Sequence, residues 1–331
     1  MINNSSVASG YGFNYWEFGV CAYYCTTGIV TLAINGVIVG AILKSNELRT
    51  RKEMLMITSQ CIAETISNFG GVPFFLKYVW LTKTSSPWSP VTPWYCVKQI
   101  HNFFYIVGSQ SCALVNAVLG IDRVIAVCFL SVYTKMSKFY TLGMVGAAFG
   151  TALISYLVGV GISYTLSDQY SVFAICYSTW ASSPQYAFYG NMVICVGESF
   201  GIAVYAFVIV ALRFRYSATD GGSVKAAQQR RQAKMTKTMA WTVVCTLLFY
   251  VIPYLFQAIG SAVGLVITSP VLADISWIII NSNNMLNGLI YLMKLQEVRE
   301  QVLGVVMGKG PTSVVTLTPG CNQKTGNESY R

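Results

Sequence analysis

Ionisable side chains inside apolar stretches are the residues of this sequence with the most unusual chemistry. The stretch AVLGIDRVIAVCF, residues 117–129, sets an acid and a base, Asp122 and Arg123, between two apolar runs. Glu64 and Glu198 lie inside other apolar runs. Adjacent opposite charges can form an ion pair that a small motion makes or breaks. Because an ionisable group in hydrocarbon is costly, each is a candidate functional residue if these runs cross a membrane. Glu198 has no partner that spacing identifies, so it is either a second polar switch or an acid in a binding pocket.

Amide side chains are predicted to gather around Glu64. Asn283, Asn284 and Asn287 follow one another at spacings that let them line one face of a helix. Together with Asn35, they predict a polar core in which the Glu64 carboxylate holds a sodium ion or a proton. The alternative is that these residues only form hydrogen bonds between helices.

The composition assigns the chain to the integral membrane class. Of its 331 residues, 54% are hydrophobic and only 10% are charged, against roughly 45–50% and about 25% in soluble domains. A soluble protein of this length needs a charged surface that so few charges cannot supply, whereas a lipid-facing surface needs none. The net charge of +10 does not indicate nucleic-acid binding, because the basic residues do not form one solvated face with aromatic residues between them.

Seven predominantly apolar stretches are each long enough to cross a bilayer as a helix, which takes about 20 residues. They predict an all-α membrane protein, a seven-transmembrane helix bundle in contact with the lipid bilayer. The seven stretches cover roughly 18–43, 54–81, 97–121, 139–166, 187–212, 236–265 and 271–294.

The chain divides into four predicted parts. Residues 1–17 form an extracellular tail, residues 18–294 the seven-helix domain, and residues 308–331 a flexible cytoplasmic tail. Residues 295–307 form a short amphipathic eighth helix on the inner membrane surface, or else a frayed continuation of the seventh helix. The apolar stripe that favours the amphipathic helix consists of Leu295, Val298, Val302, Leu303 and Val306.

Basic residues set the predicted orientation. With the amino terminus outside the cell and the carboxyl terminus in the cytoplasm, all of the 22 Lys and Arg residues except Lys77, Lys83 and Lys98 fall on the cytoplasmic side. This asymmetry predicts a multi-pass protein of the cell membrane. Asn3 and Asn4 each begin an N-x-Ser sequon in the outer tail, and they are predicted glycosylation sites unless the match arose by chance.

Two of the ten cysteines are predicted to form a disulfide. Most cysteines fall within apolar spans, where a thiol behaves as a small hydrophobe. Cys96 and Cys176 face the oxidising outer side, so we expect them to pair and to hold the loop after the fourth span over the bundle; the alternative is two free thiols. Cys21 and Cys25 have no neighbouring His or further Cys, so no metal site is predicted.

Four motifs together resemble those of rhodopsin-like G-protein-coupled receptors. GIDRVIAVCFLSVY looks like the Asp-Arg-Tyr motif, with Val124 in the place of Tyr and Leu130 in the place of Pro. FYVIPYLF is similar to the proline-centred stretch of the sixth helix at Pro253, with Val251 in the usual place of Trp.

The other two motifs lie on the second and seventh spans. Glu64, in CIAETI, takes the place of an Asp that the family carries on its second helix. NGLIY resembles Asn-Pro-x-x-Tyr at Asn287 and Tyr291, with Gly288 for Pro. The resemblance covers about residues 18–305, and the combination of SQCIAET, GIDRVIAV and IYLMKLQEVRE is most similar to nematode serpentine chemoreceptors of the Srsx class.

This resemblance implies a receptor that binds an extracellular ligand and activates a heterotrimeric G protein. It implies a resting state in which Asp122 neutralises Arg123 at the cytoplasmic end of the third helix, where we expect Arg123 to lie near water. Activation would release Arg123 toward the G protein while the sixth helix swings outward near Pro253, since proline removes a helix hydrogen bond and kinks the helix. Asn287 and Tyr291 complete the predicted switch. The departures from the family pattern leave the movements of the sixth and seventh helices in this chain open.

The family binds its ligands between the outer halves of the helices. Tyr105 occupies the position where amine receptors carry an Asp, and Asn281 the position where opsins carry the retinal Lys, so neither ligand type is expected. The remaining lining suits a small, largely uncharged molecule or an aromatic anchor of a peptide. The same aromatic residues could instead belong to the interfacial belt of the membrane. The predicted pocket residues are His101, Tyr105, Tyr254, Gln257 and Trp277.

The sequence favours a chemosensory receptor over other classes. The inner loops contain no nucleophile and base pair, metal-ligand set or phosphate-binding loop, so neither an enzyme nor a cofactor is predicted. The alternative is a membrane transporter or channel, which would need charged residues along a continuous path, and Glu64 with Glu198 are few for that purpose. A seven-helix scaffold without a ligand is a third reading.

Overall fold

The computed structural model of the chain describes residues 15–84, 87–167, 171–177, 184–216, 236, 238–256 and 270–306. Several predictions fall outside the described residues: the glycosylation sites Asn3 and Asn4, the pocket residue Gln257, and the cytoplasmic tail 308–331.

The described residues are mostly helical. A 3-10 turn, Leu48–Thr50, connects the first two helices. The helices are α1 (Tyr15–Lys44), α2 (Lys52–Phe69), α3 (Gly71–Thr84), α4 (Pro93–Val97), α5 (Ile100–Cys128), α6 (Leu130–Lys135), α7 (Lys138–Thr165), α8 (Pro184–Tyr216), α9 (Thr238–Phe256), α10 (Pro270–Lys294) and α11 (Gln296–Val306).

Five helices within the described residues are long and apolar enough to cross a membrane: α1, α5, α7, α8 and α9. Of the other two predicted spans, one is α10 and the other is divided between α2 and α3. The predicted all-α membrane fold is confirmed by these helices. Helices are the expected solution because, away from water, each backbone N–H must find its acceptor within the chain.

The second predicted span is divided next to a proline. Helix α2 ends at Phe69 and α3 begins at Gly71, and Pro73 has no N–H to donate to the carbonyl group of Phe69, four residues earlier. A β-carbon at Gly71 would clash with the carbonyl oxygen of Tyr24, so only glycine lets α3 approach α1 this closely.

Helix α9 loosens just before its proline. Leu247–Val251 form a π-helical stretch, and Pro253 follows two residues later. Proline has no N–H to donate to the carbonyl group of Phe249, four residues earlier, and its ring crowds that carbonyl group. The irregular hydrogen bonding of this part of α9 therefore has a local cause.

A short hairpin covers part of the end of the bundle that is predicted to face outward. Strand β1 (Pro90–Val91) pairs antiparallel with β2 (Val172–Phe173). The predicted disulfide between Cys96 and Cys176 is confirmed. It joins the chain just before α5 to the loop between α7 and α8, so that the loop is fixed beside α5.

Helix α11 packs against the end of the bundle that is predicted to face the cytoplasm. Leu295, immediately before it, and Val298 are buried in the same hydrophobic cluster as Ile38 and Ile42 of α1. Glu297 forms an ion pair of 2.5 Å with Arg51, at the beginning of α2. The helix therefore has one face on the bundle, while its contact with the membrane surface stays a prediction.

Candidate functional site

A buried ion pair lies near the end of α5 that is predicted to face the cytoplasm. Arg123 donates to Oδ2 of Asp122 through Nε at 3.1 Å and through Nη2 at 2.5 Å. Both side chains are completely buried. The expectation that Arg123 lies near water in this state is wrong, because α5 does not end at the predicted boundary of 121 but continues to Cys128. The pair is therefore covered inside the bundle.

A tyrosine from the next helix completes this cluster. The hydroxyl of Tyr133, on α6, accepts from Arg123 Nη2 and donates to Asp122 Oδ2, each at 3.4 Å. Burial raises the pKa of the Tyr133 hydroxyl, so the hydroxyl stays protonated and can donate. We call Asp122, Arg123 and Tyr133 the arginine switch. Tyr133 was not predicted, because a tyrosine ten residues after the arginine of the motif carries no distinctive signal in the sequence.

Lys52 holds α6 in place. Its ammonium group donates to the carbonyl oxygen of Tyr133 and, at 2.9 Å, to that of Met136. The same nitrogen lies 4.0 Å from the centroid of the Tyr133 ring, which is a cation–π contact. The start of α2 thus fixes the residue that closes over Arg123.

The structure gathers amides around Glu64, and we call Asn35, Gln60, Glu64 and Asn287 the Glu64 core. Asn287 and Gln60 donate to Oε1 of Glu64 at 2.9 and 3.0 Å, and Asn35 donates to Oε2 at 3.4 Å. All four side chains are buried. Gln60 was not predicted, although it stands four residues before Glu64 and so lies on the same helix face.

The two remaining asparagines of α10 do not join the Glu64 core. Asn284 donates to Asn68 at 2.8 Å, and Asn68 donates to Thr31 at 2.9 Å, in a separate group of polar residues. Asn283 is buried, and its Oδ1 accepts no hydrogen bond from the described residues. The expectation that all three asparagines surround one carboxylate is therefore wrong. Since α10 turns by about 100° per residue, Asn283, Asn284 and Asn287 point toward different neighbouring residues.

Asn287 and Tyr291 both lie inside the bundle. Tyr291 packs in the hydrophobic cluster that contains Ile42 and Leu295. Gly288, in the usual place of proline, lies against α1, where an added β-carbon would come 2.6 Å from Oδ1 of Asn35. The glycine thus lets α10 approach the Glu64 core. Pro253 is buried two residues after the end of the π-helical stretch of α9.

Glu198 has a partner that the sequence did not identify. Nδ2 of Asn116, on α5, donates to both carboxyl oxygens of Glu198, at 3.0 and 2.9 Å. Glu198 is buried in α8 and does not line the cavity described next. The alternative of a pocket acid is therefore wrong in this structure.

A cavity of about 50 Å³ lies between the outer parts of α5, α8, α9 and α10; we call it the outer cavity. By volume it holds about four water molecules, at roughly 10–15 Å³ each. Three predicted pocket residues line it: Tyr105, Tyr254 and Trp277. The remaining lining residues are Ile106, Ser109, Gln110, Tyr186, Ala187, Gly190, Asn191 and Ile194.

His101 does not line the outer cavity, so its assignment to the pocket is wrong in this structure. It is buried beside the outer loop, with Nε2 3.0 Å from the carbonyl oxygen of Cys176 and its ring against Phe74. Cys176 has a positive φ of 58°. Asn102 donates to the same carbonyl oxygen at 3.2 Å, so both side chains anchor the disulfide loop.

The outer cavity has one conspicuous polar group among its described lining residues. Gln110 is buried, and its Oε1 accepts no hydrogen bond from the part of the chain that the structure describes. None of the lining residues is charged. A buried ion without a partner would be costly, so the lining suits an uncharged molecule that donates a hydrogen bond. The sequence only weakly indicates a role for Gln110, an amide between Ser109 and Ser111 in an otherwise apolar stretch.

The matched family fits these observations. The family model described as Serpentine type 7TM GPCR chemoreceptor Srsx matches residues 28–304, which is most of the chain. A search of curated proteins found no significant match. The matched segment contains the arginine switch, the Glu64 core and all described residues of the outer cavity.

Proposed function

This chain belongs to the Srsx family of serpentine chemoreceptors, and we propose that it binds an extracellular molecule in the outer cavity and in response activates a heterotrimeric G protein. The chain would lie in the cell membrane with its amino terminus outside, glycosylated at Asn3 and Asn4, and its carboxyl terminus in the cytoplasm. A ligand shifts a receptor between two states only by binding one of them more tightly.

The burial of Arg123 is the observation that carries this proposal. An Arg with no exposed surface, bonded to Asp122 and Tyr133, cannot reach a cytoplasmic protein. This arrangement supports a resting state. Activation then requires that the arginine switch open and that Arg123 turn toward the G protein.

Helix α9 is the element we expect to move. Its π-helical stretch and Pro253 weaken the backbone hydrogen bonding between its two halves. Asn287 and Tyr291 of α10 lie in the neighbouring core, where they would rearrange with α9.

The Glu64 core would hold a sodium ion or a proton in the resting state. Its buried amide oxygens, Oδ1 of Asn35, Oε1 of Gln60 and Oδ1 of Asn287, accept no hydrogen bond from the described residues. Oxygen atoms without donors, next to a carboxyl group, suit a hard cation. Hydrogen bonding alone leaves these oxygens unexplained.

The ligand would be a small uncharged molecule. The lining supports this class because its described residues are aromatic, aliphatic or neutral polar, with Gln110 as the acceptor. A longer ligand would require the cavity to open.

Nucleotide exchange on a co-expressed G protein tests the proposal. We expect a panel of small odorants to contain compounds that stimulate exchange. Arg123→Ala should reduce the stimulated exchange at least tenfold at equal surface expression. Arg49→Ala, an exposed Arg on the cytoplasmic turn, is the matched control and should respond normally. Solute or ion flux without nucleotide exchange would instead support a transporter or channel.

A further inference from the structure

The interface of α5 and α8 joins the outer cavity to the arginine switch. Nine of the described lining residues of the cavity belong to these two helices, from Tyr105 to Gln110 on α5 and from Tyr186 to Ile194 on α8. Asp122 and Arg123 lie further along α5, and Tyr205 lies further along α8. Any force between the two helices at the outer end therefore acts on elements that also reach the cytoplasmic end.

Between these two ends, a polar contact crosses the interface. Asn116 donates to both carboxyl oxygens of Glu198, and we call this pair the Asn116–Glu198 bridge. The bridge lies about one turn beyond Ile194 of the cavity and about two turns before Arg123 and Tyr205 on their respective helices.

Glycines bring the two backbones together at the level of the bridge. A β-carbon at Gly197 would lie 3.2 Å from Cβ of Ala113, and one at Gly201 would lie 3.3 Å from the carbonyl oxygen of Asn116. Gly120 is equally close to Val204, at 3.2 Å. Small residues four apart, with a polar pair beside them, form a close and well-defined helix contact in membranes. The two helices are thus held most tightly in the middle.

Below the bridge, α8 contacts the helix that we expect to move. The buried hydroxyl of Tyr205 donates to the sulfur atom of Met239, on α9, at 3.3 Å. A change in the angle between α5 and α8 at their inner ends therefore reaches α9 directly.

We propose that the Asn116–Glu198 bridge is a pivot. A molecule that separates the outer ends of α5 and α8 changes the angle between the two helices about the bridge. This change moves Tyr205 and α9 relative to Arg123. Asn116 and Glu198 are positioning residues, since they contact neither the cavity nor the arginine switch. The inference rests on the proposed function only for its outcome at the G protein, because the helix movement itself can be measured separately.

The test replaces the unknown ligand by a bulky side chain in the cavity. Ala187→Trp, on the cavity side of α8, supplies the wedge, and Ala206→Trp, exposed on the same helix, is the matched control. A bimane fluorophore on Phe214→Cys reports helix movement, because residue 214 is exposed near the inner end of α8. The emission of the labelled chain without this substitution is subtracted as background. Basal nucleotide exchange on a co-expressed G protein is measured in parallel.

We expect the wedge, but not its control, to change the bimane emission and to raise basal exchange several-fold. Asn116→Leu and Glu198→Leu should each reduce both responses at least fivefold. The exchanged pair, Asn116→Asp with Glu198→Gln, restores an amide–carboxyl contact in the opposite sense and should recover most of the response. A role in folding alone would not produce this recovery at equal surface expression.

Several results would overturn the pivot. One is that Ala187→Trp alone does not change the bimane emission. Another is that Asn116→Leu or Glu198→Leu leaves the effect of Ala187→Trp at full size. The third is that the exchanged pair reaches the cell surface but does not restore the effect of Ala187→Trp on bimane emission. If the single variants do not fold, the exchanged pair decides alone. Bimane changes without any nucleotide exchange would support the pivot and contradict the proposed G-protein coupling.

Discussion

Glu64 and Glu198 are two buried glutamates of the same bundle with different surroundings. Glu64 accepts hydrogen bonds from three amides that belong to α2, α1 and α10. Glu198 accepts from the single amide of Asn116, across a glycine-lined contact of two helices. The first arrangement joins several helices and leaves amide oxygens without donors, whereas the second closes one interface. A buried acid in a membrane bundle therefore has no single role, and its donors indicate which role it has.

The largest difference between the two sites should appear when each acid is removed. Glu64→Leu leaves three buried amides without their acceptor, at about 1–3 kcal/mol each, so we expect it to lower the free energy of unfolding by about 3–9 kcal/mol. Glu198→Leu leaves one amide and should cost about 1–3 kcal/mol. Thermal unfolding in detergent measures both, with the lipid-exposed Ile62→Val as control. Equal costs would contradict the contrast between the two sites.

Sodium should distinguish the two sites by a smaller amount. If the Glu64 core binds sodium, a concentration ten times the dissociation constant stabilises the folded chain by about 1.4 kcal/mol. Melting temperatures in sodium chloride and in choline chloride, at equal ionic strength, test this. The difference should vanish in Glu64→Gln and persist in Glu198→Gln. Equal melting temperatures of the unchanged chain in the two salts would indicate that Glu64 holds a proton or only forms hydrogen bonds.

The smallest effect is expected for Glu198→Gln. Its amide oxygen still accepts from Asn116, so only one hydrogen bond is lost, and single hydrogen bonds between membrane helices contribute about 0.6 kcal/mol. The unfolding midpoint should therefore stay close to that of the unchanged chain. A loss as large as that of Glu198→Leu would show that the negative charge, and not the hydrogen bond, holds the interface.

The positions of the helices were largely predictable. Apolar runs follow from the cost of burying backbone and polar groups in lipid, and they give the ends of α1, α7 and α10 within a few residues. The division of the second span at Gly70 was not predicted, because a proline such as Pro73 can also lie within one continuous membrane helix when neighbouring helices satisfy the freed carbonyl group. The cysteine pair was predictable, because Cys96 and Cys176 fall between apolar spans on the side that the basic residues predict to be outside the cell.

The candidate sites were predictable in part. Asp122, Arg123, Glu64, Asn35 and Asn287 stand out as polar residues in apolar runs, and the structure brings the last three into contact. Tyr133, Lys52 and Gln110 were missed, since a tyrosine, a lysine at the start of a helix and a lone amide have many ordinary roles. Their roles depend on which residues of other helices they contact.

By itself, the sequence determined which residues enter the membrane, because hydrophobicity and charge are local properties that each residue carries along the chain. The tertiary structure alone decided the partners: that Arg123 is covered by Tyr133, that Asn284 contacts Asn68 and not Glu64, and that Glu198 contacts Asn116. Contacts of this kind depend on how helices distant in sequence are rotated and how closely they approach, and that is fixed only when all of them pack together.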